Sequence, residues 1–241
     1  LLMLPLIKLG GGFDWQLAKR MLNYSYPILI LGIAGILNQV ADKIISIHNL
    51  TDVEGIWLKA VQPMKEVFDQ TKFNIVSVGR VSHEKGMDIA VKACAKLVSD
   101  GFDYVRWWIV GDGPAMREVK DTIAEMQMED HVITVGMQNN PYPYIRRADL
   151  YVQPSRVESF GLTIMEAMIL GKTIVATETL GAKEILTKRK SATLCGSKVA
   201  EIANAIETYI RHRELISWHQ KNVDELKREN ENLIKDLEKL L

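Results

Sequence analysis

The sequence predicts a doubly wound α/β sheet of parallel strands over residues 73–213. Short, uninterrupted apolar runs, which are typical of strands buried on both faces, alternate with segments of helical periodicity. Several of these runs end directly in a glycine or proline loop. This alternation indicates an open sheet with helices on both faces. We expect an apolar helical segment before this region and a charged amphipathic helix after it.

The expected strands are the apolar runs 73–79, 105–110, 132–135, 149–153 and 173–176. Helices are expected at 87–98, 142–147 and 162–170. Pro114 suits the first turn of a further helix, because a proline at that position loses no hydrogen bond. Gly171 is expected to end the helix 162–170, since glycine tolerates the left-handed conformation that closes many helices.

Four loops are expected at one edge of this sheet. Ligands of doubly wound sheets bind at the carboxyl ends of the strands. The strand assignment brings the loops 79–80, 111–114, 136–137 and 154–158 to that edge. They include Arg80 and Glu158, so the sequence predicts a binding site with charged groups there.

Two carboxylates, Glu158 and Glu166, bracket the predicted start of a helix. Glu158 is expected in the loop before the helix, and Glu166 about one turn inside it. The backbone N–H groups of Phe160, Gly161 and Leu162 would lie at the helix N-terminus, where unpaired donors and the helix dipole favour an anion. A phosphate there, with carboxylates on either side accepting hydrogen bonds from hydroxyls, matches the layout of a nucleoside diphosphate sugar.

This segment resembles the Glu-x7-Glu signature of the retaining, GT-B-fold glycosyltransferases of family four (group 1). Six motifs follow the nucleotide-sugar domain of that family in order: Val78-Gly79-Arg80, Glu84-Lys85-Gly86, Val110-Gly111-Asp112-Gly113-Pro114, Val135-Gly136, Ala148-Asp149-Leu150-Tyr151-Val152-Gln153-Pro154-Ser155 and the Glu158 block. One motif alone is weak, but six in the right order and spacing are specific. The resemblance implies a Rossmann-like domain that forms the C-terminal half of a GT-B enzyme.

The resemblance implies that Arg80, Lys85 and Glu158 are the catalytic candidates. Arg80 and Lys85 would neutralise the charge on the departing nucleoside diphosphate, and Glu158 would contact hydroxyls of the donor sugar near the reacting carbon. Glu166 would accept hydrogen bonds from the ribose hydroxyls. Without the family motifs, the two cations would be interpreted as solvated surface residues and the two glutamates as ordinary helix or surface carboxylates.

The resemblance also implies a set of backbone contacts to the donor. Val135, Gly136 and Met137 would present backbone groups to the nucleobase. The remaining candidate substrate-binding residues are Gly79, Phe160, Gly161 and Leu162.

Residues 1–45 have a different character. The run 23–41 contains no charged residue, with Lys19 and Arg20 before it and Asp42 and Lys43 after it. An interfacial helix, a marginal membrane span and a packed helix remain open for this segment. The run 21–43 resembles one helix of bacterial polysaccharide flippases. A chain that joins such a helix to a glycosyltransferase-like domain could be a fusion of two neighbouring coding regions.

Residues 46–72 resemble the connector that leads into the second half of a GT-B enzyme. The family has a whole acceptor-binding domain before this connector. This chain has 45 residues of another character there, so we expect the acceptor domain to be missing. Donor binding is then expected to persist, while transfer depends on an opposing domain.

The C-terminal segment 214–241 is expected to form an amphipathic helix. Its heptad-spaced residues are Val223, Leu226, Asn230, Leu233, Leu237 and Leu240. A terminal helix that packs on its own domain and a coiled coil that forms a homodimer both fit this pattern.

The bulk composition limits the function classes. The 241 residues carry a formal net charge of zero, which argues against a general nucleic-acid surface. Cys94 and Cys195 lie far apart in apolar runs, which predicts buried thiols in a reducing compartment. The histidines do not group at metal-ligand spacing, and neither a metal nor a cofactor is expected. The expected location is the cytoplasm, with the inner face of the cell membrane as the alternative.

Together, these features predict a hexosyltransferase-like retaining glycosyltransferase. It would transfer a sugar from a nucleoside diphosphate sugar to a glycan or lipid-linked glycan acceptor in bacterial surface polysaccharide synthesis. Two alternatives remain open. The chain could be a nucleotide-sugar-binding module without transferase activity, or an assembly protein anchored to a membrane surface through residues 1–45.

Overall fold

Six parallel strands form one sheet in the order β3-β2-β1-β4-β5-β6. The strands are β1 (Phe73–Val78), β2 (Val105–Val110), β3 (Val132–Gly136), β4 (Leu150–Gln153), β5 (Ile174–Thr177) and β6 (Ala192–Cys195). This computed structural model describes residues 53–187, 189 and 191–216. The sheet confirms the predicted doubly wound fold. The chain reverses its direction of travel across the sheet between β1 and β4, and this switch point is where such folds bind ligands.

Helices cover both faces of the sheet. They are α1 (Val53–Ala60), α2 (Met87–Ser99), α3 (Met116–Glu125), α4 (Tyr142–Arg147), α5 (Leu162–Ile169), α6 (Leu180–Leu186) and α7 (Val199–Arg211), with 3-10 turns at His83–Lys85 and Arg213–Leu215. Helices α2, α3 and α7 pack into one hydrophobic cluster, and α1, α4, α5 and α6 pack into the other. Strand β1 serves both clusters, since Phe73 and Ile75 face the first while Val76 and Val78 face the second.

The predicted connector contains a helix that belongs to the packed layers of the domain. Helix α1 buries Val53, Ile56 and Ala60 against the second cluster. The guanidinium of Arg146, on α4, lies 4.9 Å from the centre of the Trp57 ring. Tertiary packing therefore stabilises α1, whose local sequence is short and weakly periodic.

Further segments of the chain also differ from the expectation. Helix α3 begins at Met116 and not at Pro114, because the Ala115 N–H donates to Val81 O at 3.0 Å and ties this turn to the loop after β1. Strand β6, which was not among the expected strands, pairs in parallel with β5. Residues 214–216 lie in and just after a 3-10 turn rather than in the expected α-helix.

The chain divides into two compact units, Leu1–Ser46 and Ile47–Leu241. Every described residue lies in the second unit. The predictions for 1–45, including the flippase-like helix, and for the helix at 217–241 lie outside the described residues. Within the described residues, no helix combines the length and apolar character needed to cross a bilayer.

A largely buried lysine lies at the amino-terminal edge of the sheet, opposite the predicted site. The Lys172 ammonium donates a hydrogen bond to Ala148 O at 2.6 Å. Burial lowers the Lys172 pKa from its ordinary 10.5 to about 8, although the nearby Asp149 carboxylate acts in the opposite direction. The folded protein therefore releases this proton at a lower pH than the unfolded chain does.

We expect the free energy of unfolding to rise between pH 8 and 10.5 relative to that of Lys172→Met. In this window the unfolded chain still holds the lysine proton while the folded protein has released it, so stability increases with pH. The expected gain is on the order of 1–3 kcal/mol. Urea unfolding of both proteins at pH 7.5 and pH 10 measures it, and an equal difference at the two pH values would contradict it.

Candidate active site

The loop after β1, residues 79–86, lies between the loops that follow β2 and β4. On one side, the Val81 N–H donates to Asp112 O at 3.0 Å. On the other side, Glu84 O accepts a hydrogen bond from the Arg156 N–H at 2.7 Å. These backbone contacts hold three strand-end loops together over the switch point, where the fold predicts a ligand site.

Two glycines permit this close approach of the loops. Gly86 has φ +66°, and a Cβ atom there would lie 2.1 Å from Pro154 O. Gly111 has φ +143°, and a Cβ atom there would lie 1.9 Å from Gly79 O. Any side chain at either position would force the strand-end loops apart.

A cleft of about 600 Å³ opens at this edge. The carboxyl ends of β1 and β2 form one side of it, and the loop after β3 contributes Met137 and Gln138. Three of the predicted site residues, Gly79, Arg80 and Met137, line the cleft. Arg80 is exposed, and Met137 is 75% exposed. The cleft therefore offers a guanidinium, an exposed apolar side chain and the carboxylate of Asp112 to a ligand.

The backbone around the other predicted base-contacting residues is partly engaged. Gly136 O accepts a hydrogen bond from the Gly111 N–H at 2.8 Å. Val135 O accepts one from Gln138 Nε2 at 2.8 Å. Each carbonyl oxygen can accept a second hydrogen bond. A nucleobase at this position would thus form a second hydrogen bond to one of these two carbonyl oxygens, or it would contact the backbone of the next residue, Met137.

The lining of the cleft does not include two of the predicted catalytic residues, Lys85 in the loop after β1 and Glu158 in the loop after β4. The Lys85 Nζ atom is 2.6 Å from Glu158 Oε2. The Glu158 side chain is 8% exposed, and the Lys85 side chain is 26% exposed. The structure therefore brings these two residues together. Arg80 lies in the same loop as Lys85, the loop 79–86 after β1.

Glu158 is also held by neutral donors. The Gly161 N–H, at the start of α5, donates to Glu158 Oε1 at 3.3 Å. Ser155 Oγ and Gln153 Nε2 each lie 3.4 Å from Glu158 Oε2. The Gly161 N–H, which we expected to be available to a phosphate, thus contacts the Glu158 carboxylate. Phe160 and Leu162 flank this contact in the chain.

Gln153 is a site residue that sequence reasoning missed. It is buried at the end of β4, donates to Ser155 Oγ at 2.8 Å and accepts a hydrogen bond from the Tyr151 hydroxyl at 2.7 Å. Thr163 Oγ1 lies 3.3 Å from the same amide oxygen. The available signal was a polar amide that ends an otherwise apolar strand, because such a group needs partners when buried.

Arg156 is a second residue that was missed. Its guanidinium forms two hydrogen bonds of 2.7 Å with the Asp88 carboxylate and donates to His83 O at 2.8 Å. Burial acts to raise the Asp88 pKa, but the hydrogen bonds and charge of Arg156 hold that pKa below its usual value. This bidentate pair fastens the loop after β4 to the start of α2 and to the loop after β1.

Glu166 lies on α5 and connects to the cleft wall through Tyr142. The Tyr142 hydroxyl donates to Glu166 Oε1 at 3.1 Å, and the preceding residue, Pro141, lines the cleft. Burial raises the Glu166 pKa, while the Tyr142 hydrogen bond acts to lower it. Glu166 is therefore linked to the cleft wall through the residue that follows Pro141, and one of its oxygens is oriented by a phenol.

The thiols and acidic groups do not form a second chemical centre in the described part of the chain. Burial raises the pKa of Cys94 to about 12 and that of Cys195 to about 11, so both thiols are poor nucleophiles at neutral pH. Among residues 53–187 and 191–216, no group of three His, Cys, Asp or Glu side chains could hold a metal ion.

Residues 59–233 match the family model for glycosyl transferases group 1. One curated relative is the alpha-D-kanosaminyltransferase of Streptomyces kanamyceticus, which is 28% identical over 144 residues, covering 58% of this chain and 37% of the relative. Another is the lipopolysaccharide core biosynthesis mannosyltransferase LpsB of Rhizobium meliloti, 30% identical over 158 residues, covering 59% of this chain and 44% of the relative. The chain spans less than half the length of these relatives.

Solved structures of similar fold include Anabaena Alr3699/HepE in complex with UDP and glucose. Its TM-score is 0.60 at 22% identity, with 81% of this chain and 50% of that chain covered. The structure of WaaG, a glycosyltransferase involved in lipopolysaccharide biosynthesis, has a TM-score of 0.60 at 16% identity and the same coverage. At these identities the likeness shows the fold alone, and the chain spans half of each neighbour.

Proposed function

The chain belongs to the glycosyl transferases group 1 family, and on that premise we propose that it binds a nucleoside diphosphate sugar and positions it for retaining transfer. One observation carries the proposal. The cleft with Arg80 adjoins the Lys85–Glu158 pair through a single loop, at the switch point of the sheet. One loop thus carries both cations proposed for the diphosphate, and the second of them contacts the carboxylate proposed for the sugar hydroxyls.

The donor would span the carboxyl edge of the sheet. The base would lie against Met137, whose large apolar side chain is exposed in the cleft lining. Arg80 would bind the diphosphate, since a guanidinium forms bidentate contacts with phosphate oxygens. Glu166 would accept hydrogen bonds from the ribose hydroxyls, and Glu158 from hydroxyls of the sugar. The complex of HepE with UDP and glucose supports this class of ligand for the fold.

Transfer would break the bond between the anomeric carbon and the phosphate oxygen of the donor. The acceptor hydroxyl would attack the same face of the sugar and pass its proton to the departing phosphate oxygen. Negative charge accumulates on the diphosphate as the bond breaks, so Arg80 and Lys85 would stabilise the transition state more than the ground state. The protein contributes positioning and electrostatic stabilisation, which together supply much of the rate enhancement of an enzyme.

The acceptor would bind at the carboxyl edge, facing Glu158. The mannosyltransferase LpsB acts in lipopolysaccharide core biosynthesis, and Escherichia coli WcaL carries the name of a colanic acid biosynthesis glycosyltransferase. These relatives support a glycan or lipid-linked glycan acceptor in bacterial surface polysaccharide synthesis. The protein would then work in the cytoplasm, at or near the inner face of the cell membrane.

Calorimetric titration of the protein with UDP and with GDP tests the proposal. We expect saturable binding of one nucleotide per chain, and much weaker binding of uridine or guanosine, which lack the diphosphate that Arg80 binds. Measurement at 50 mM and 300 mM salt adds a control, because a contact between cations and a diphosphate weakens as salt rises. If neither nucleotide binds, the proposed donor site is wrong.

Tyr142→Phe is expected to raise the acid limit of nucleotide binding, which is the pH below which the affinity for nucleotide falls. Glu166 would accept hydrogen bonds from the ribose hydroxyls in its charged form, so the affinity for nucleotide falls as the pH drops through the Glu166 pKa. Burial already raises that pKa and the Tyr142 hydroxyl opposes the rise, so its removal raises the pKa further. Above this limit the variant should bind within about threefold of the wild-type protein, since Glu166 is charged in both proteins there.

Nucleotide titrations from pH 5 to pH 8 measure this shift. Tyr104→Phe is the matched control, because it removes a phenol hydroxyl from the edge of the first hydrophobic cluster, away from Glu166. An unchanged acid limit in Tyr142→Phe would show that Glu166 does not titrate in contact with the nucleotide.

A further inference from the structure

The two charged groups proposed for neighbouring parts of the donor, its diphosphate and its sugar, form an ion pair with each other in this structure. Lys85 Nζ lies 2.6 Å from Glu158 Oε2 across the loops after β1 and β4. The proposed function assigns Lys85 to the diphosphate and Glu158 to the sugar. A ligand that recruits Lys85 must therefore take it from Glu158.

Lys85 is the mobile member of this pair. Its ammonium ends a flexible four-carbon chain, and its side chain is 26% exposed. Glu158 is 8% exposed, and the Gly161 N–H, Ser155 and Gln153 hold it in place. The loops themselves are fixed by the contact of Gly86 with Pro154 O and by the backbone hydrogen bonds to Glu84 O. Rotation of the Lys85 side chain is thus enough to break the pair.

Breaking the pair has a cost that depends on the ligand. When the Lys85 ammonium moves away, the Glu158 carboxylate stays buried with only neutral donors around it. A buried charge that loses its counter-ion is destabilised. A nucleoside diphosphate sugar offsets this cost, because its sugar hydroxyls donate hydrogen bonds to Glu158. A free nucleoside diphosphate draws Lys85 away and gives Glu158 nothing in return.

We infer that the Lys85–Glu158 ion pair makes the site discriminate against free nucleoside diphosphate in favour of the intact sugar donor. This inference rests on the proposed function, because it requires that both ligands bind at Lys85. Once the sugar has been transferred, Glu158 recaptures Lys85 and the diphosphate loses one of its two cations. The pair therefore promotes release of the spent nucleotide.

Glu158→Gln tests the inference with a side chain of the same shape and no charge. Lys85 is then released from its ion pair and available to the diphosphate. We expect the affinity for UDP, or for GDP if that is the nucleotide the wild-type protein binds, to rise about five- to tenfold.

Two controls isolate the ion pair. Glu125→Gln removes the same charge from an exposed side chain at the C-terminal end of α3, outside the strand-end loops, and it should change nucleotide affinity by less than about twofold. Glu158→Gln made in a Lys85→Met background should give no gain, because the released ammonium is absent. Should Glu158→Gln fail to fold, Glu158→Asp, which keeps the charge but withdraws the carboxylate by one methylene, is expected to bind free nucleotide more tightly than the wild-type protein.

The outcomes separate the inference from the proposed function. If the wild-type protein binds nucleotide and a folded Glu158 variant binds it equally or more weakly, the ion pair does not select against the free nucleotide. A gain of equal size in the Lys85→Met background would also overturn the inference. If neither the wild-type protein nor any variant binds nucleotide, the proposed donor site fails, and this inference fails with it.

Discussion

Arg80→Ala is expected to weaken UDP or GDP binding by about 10- to 100-fold. Arg80 lines the cleft at the carboxyl end of β1, and its guanidinium is exposed to a ligand there. Hydrogen bonds between charged partners contribute about 1.5–3 kcal/mol, which corresponds to this range of affinities. Calorimetric titration of the wild-type protein and the variant under the same salt conditions measures the loss.

Arg117→Ala is the matched control for this prediction. Arg117 is also an arginine, lies on α3 outside the cleft lining and has a side chain that is 94% exposed. Its removal should leave nucleotide affinity within about twofold of the wild-type value, since exposed charges act weakly across solvent. Equal losses in the two variants would show that Arg80 acts only through the general charge of the protein.

Gly86→Ala is expected to destabilise the protein by about 3 kcal/mol or more. The left-handed conformation of Gly86 alone costs an L-residue about 1–2 kcal/mol. The added Cβ atom would also lie 2.1 Å from Pro154 O, so the loop after β4 must move. Because that loop carries Glu158, the folded fraction should also lose the Lys85–Glu158 contact.

Gly101→Ala is the control that separates the free-energy cost of a positive φ from the cost of the clash made by the added Cβ atom. Gly101 also has a positive φ, +98°, but a Cβ atom there would meet nothing within 4 Å. Urea unfolding of both variants should show a clearly larger loss of unfolding free energy for Gly86→Ala. A similar loss in the two variants would mean that the strand-end loops yield at little cost.

The sheet could be predicted from the sequence because its strands are continuous apolar runs. The run 73–79 was expected as a strand, and β1 extends over Phe73–Val78. Strand β6 is four residues long and includes Thr193, so it is not a continuous apolar run. All four of its residues are only half-buried, because the strand lies at the edge of the sheet. Helix α1 was missed for a related reason. It is short and contains Gly55, and it is stabilised by packing against α4 that local sequence does not show.

The candidate site could be predicted as a set of loops but not as a set of contacts. Motif order placed Arg80, Lys85 and Glu158 at strand ends, where the structure has them. It did not show that Lys85 and Glu158, 73 positions apart, form an ion pair. The bidentate contact between Arg156 and Asp88, 68 positions apart, was equally invisible. Such pairings depend on how the loops meet in space, and no spacing along the chain encodes them.

A crystal structure of the protein with bound UDP or GDP would test the proposed donor site. We expect the diphosphate to lie within hydrogen-bonding distance of the Arg80 guanidinium and a ribose hydroxyl to lie within such distance of Glu166. A nucleotide bound elsewhere, for example at the amino-terminal edge of the sheet near Lys172, would contradict the proposed donor site. So would a nucleotide that fills the cleft without contacting either Arg80 or Glu166.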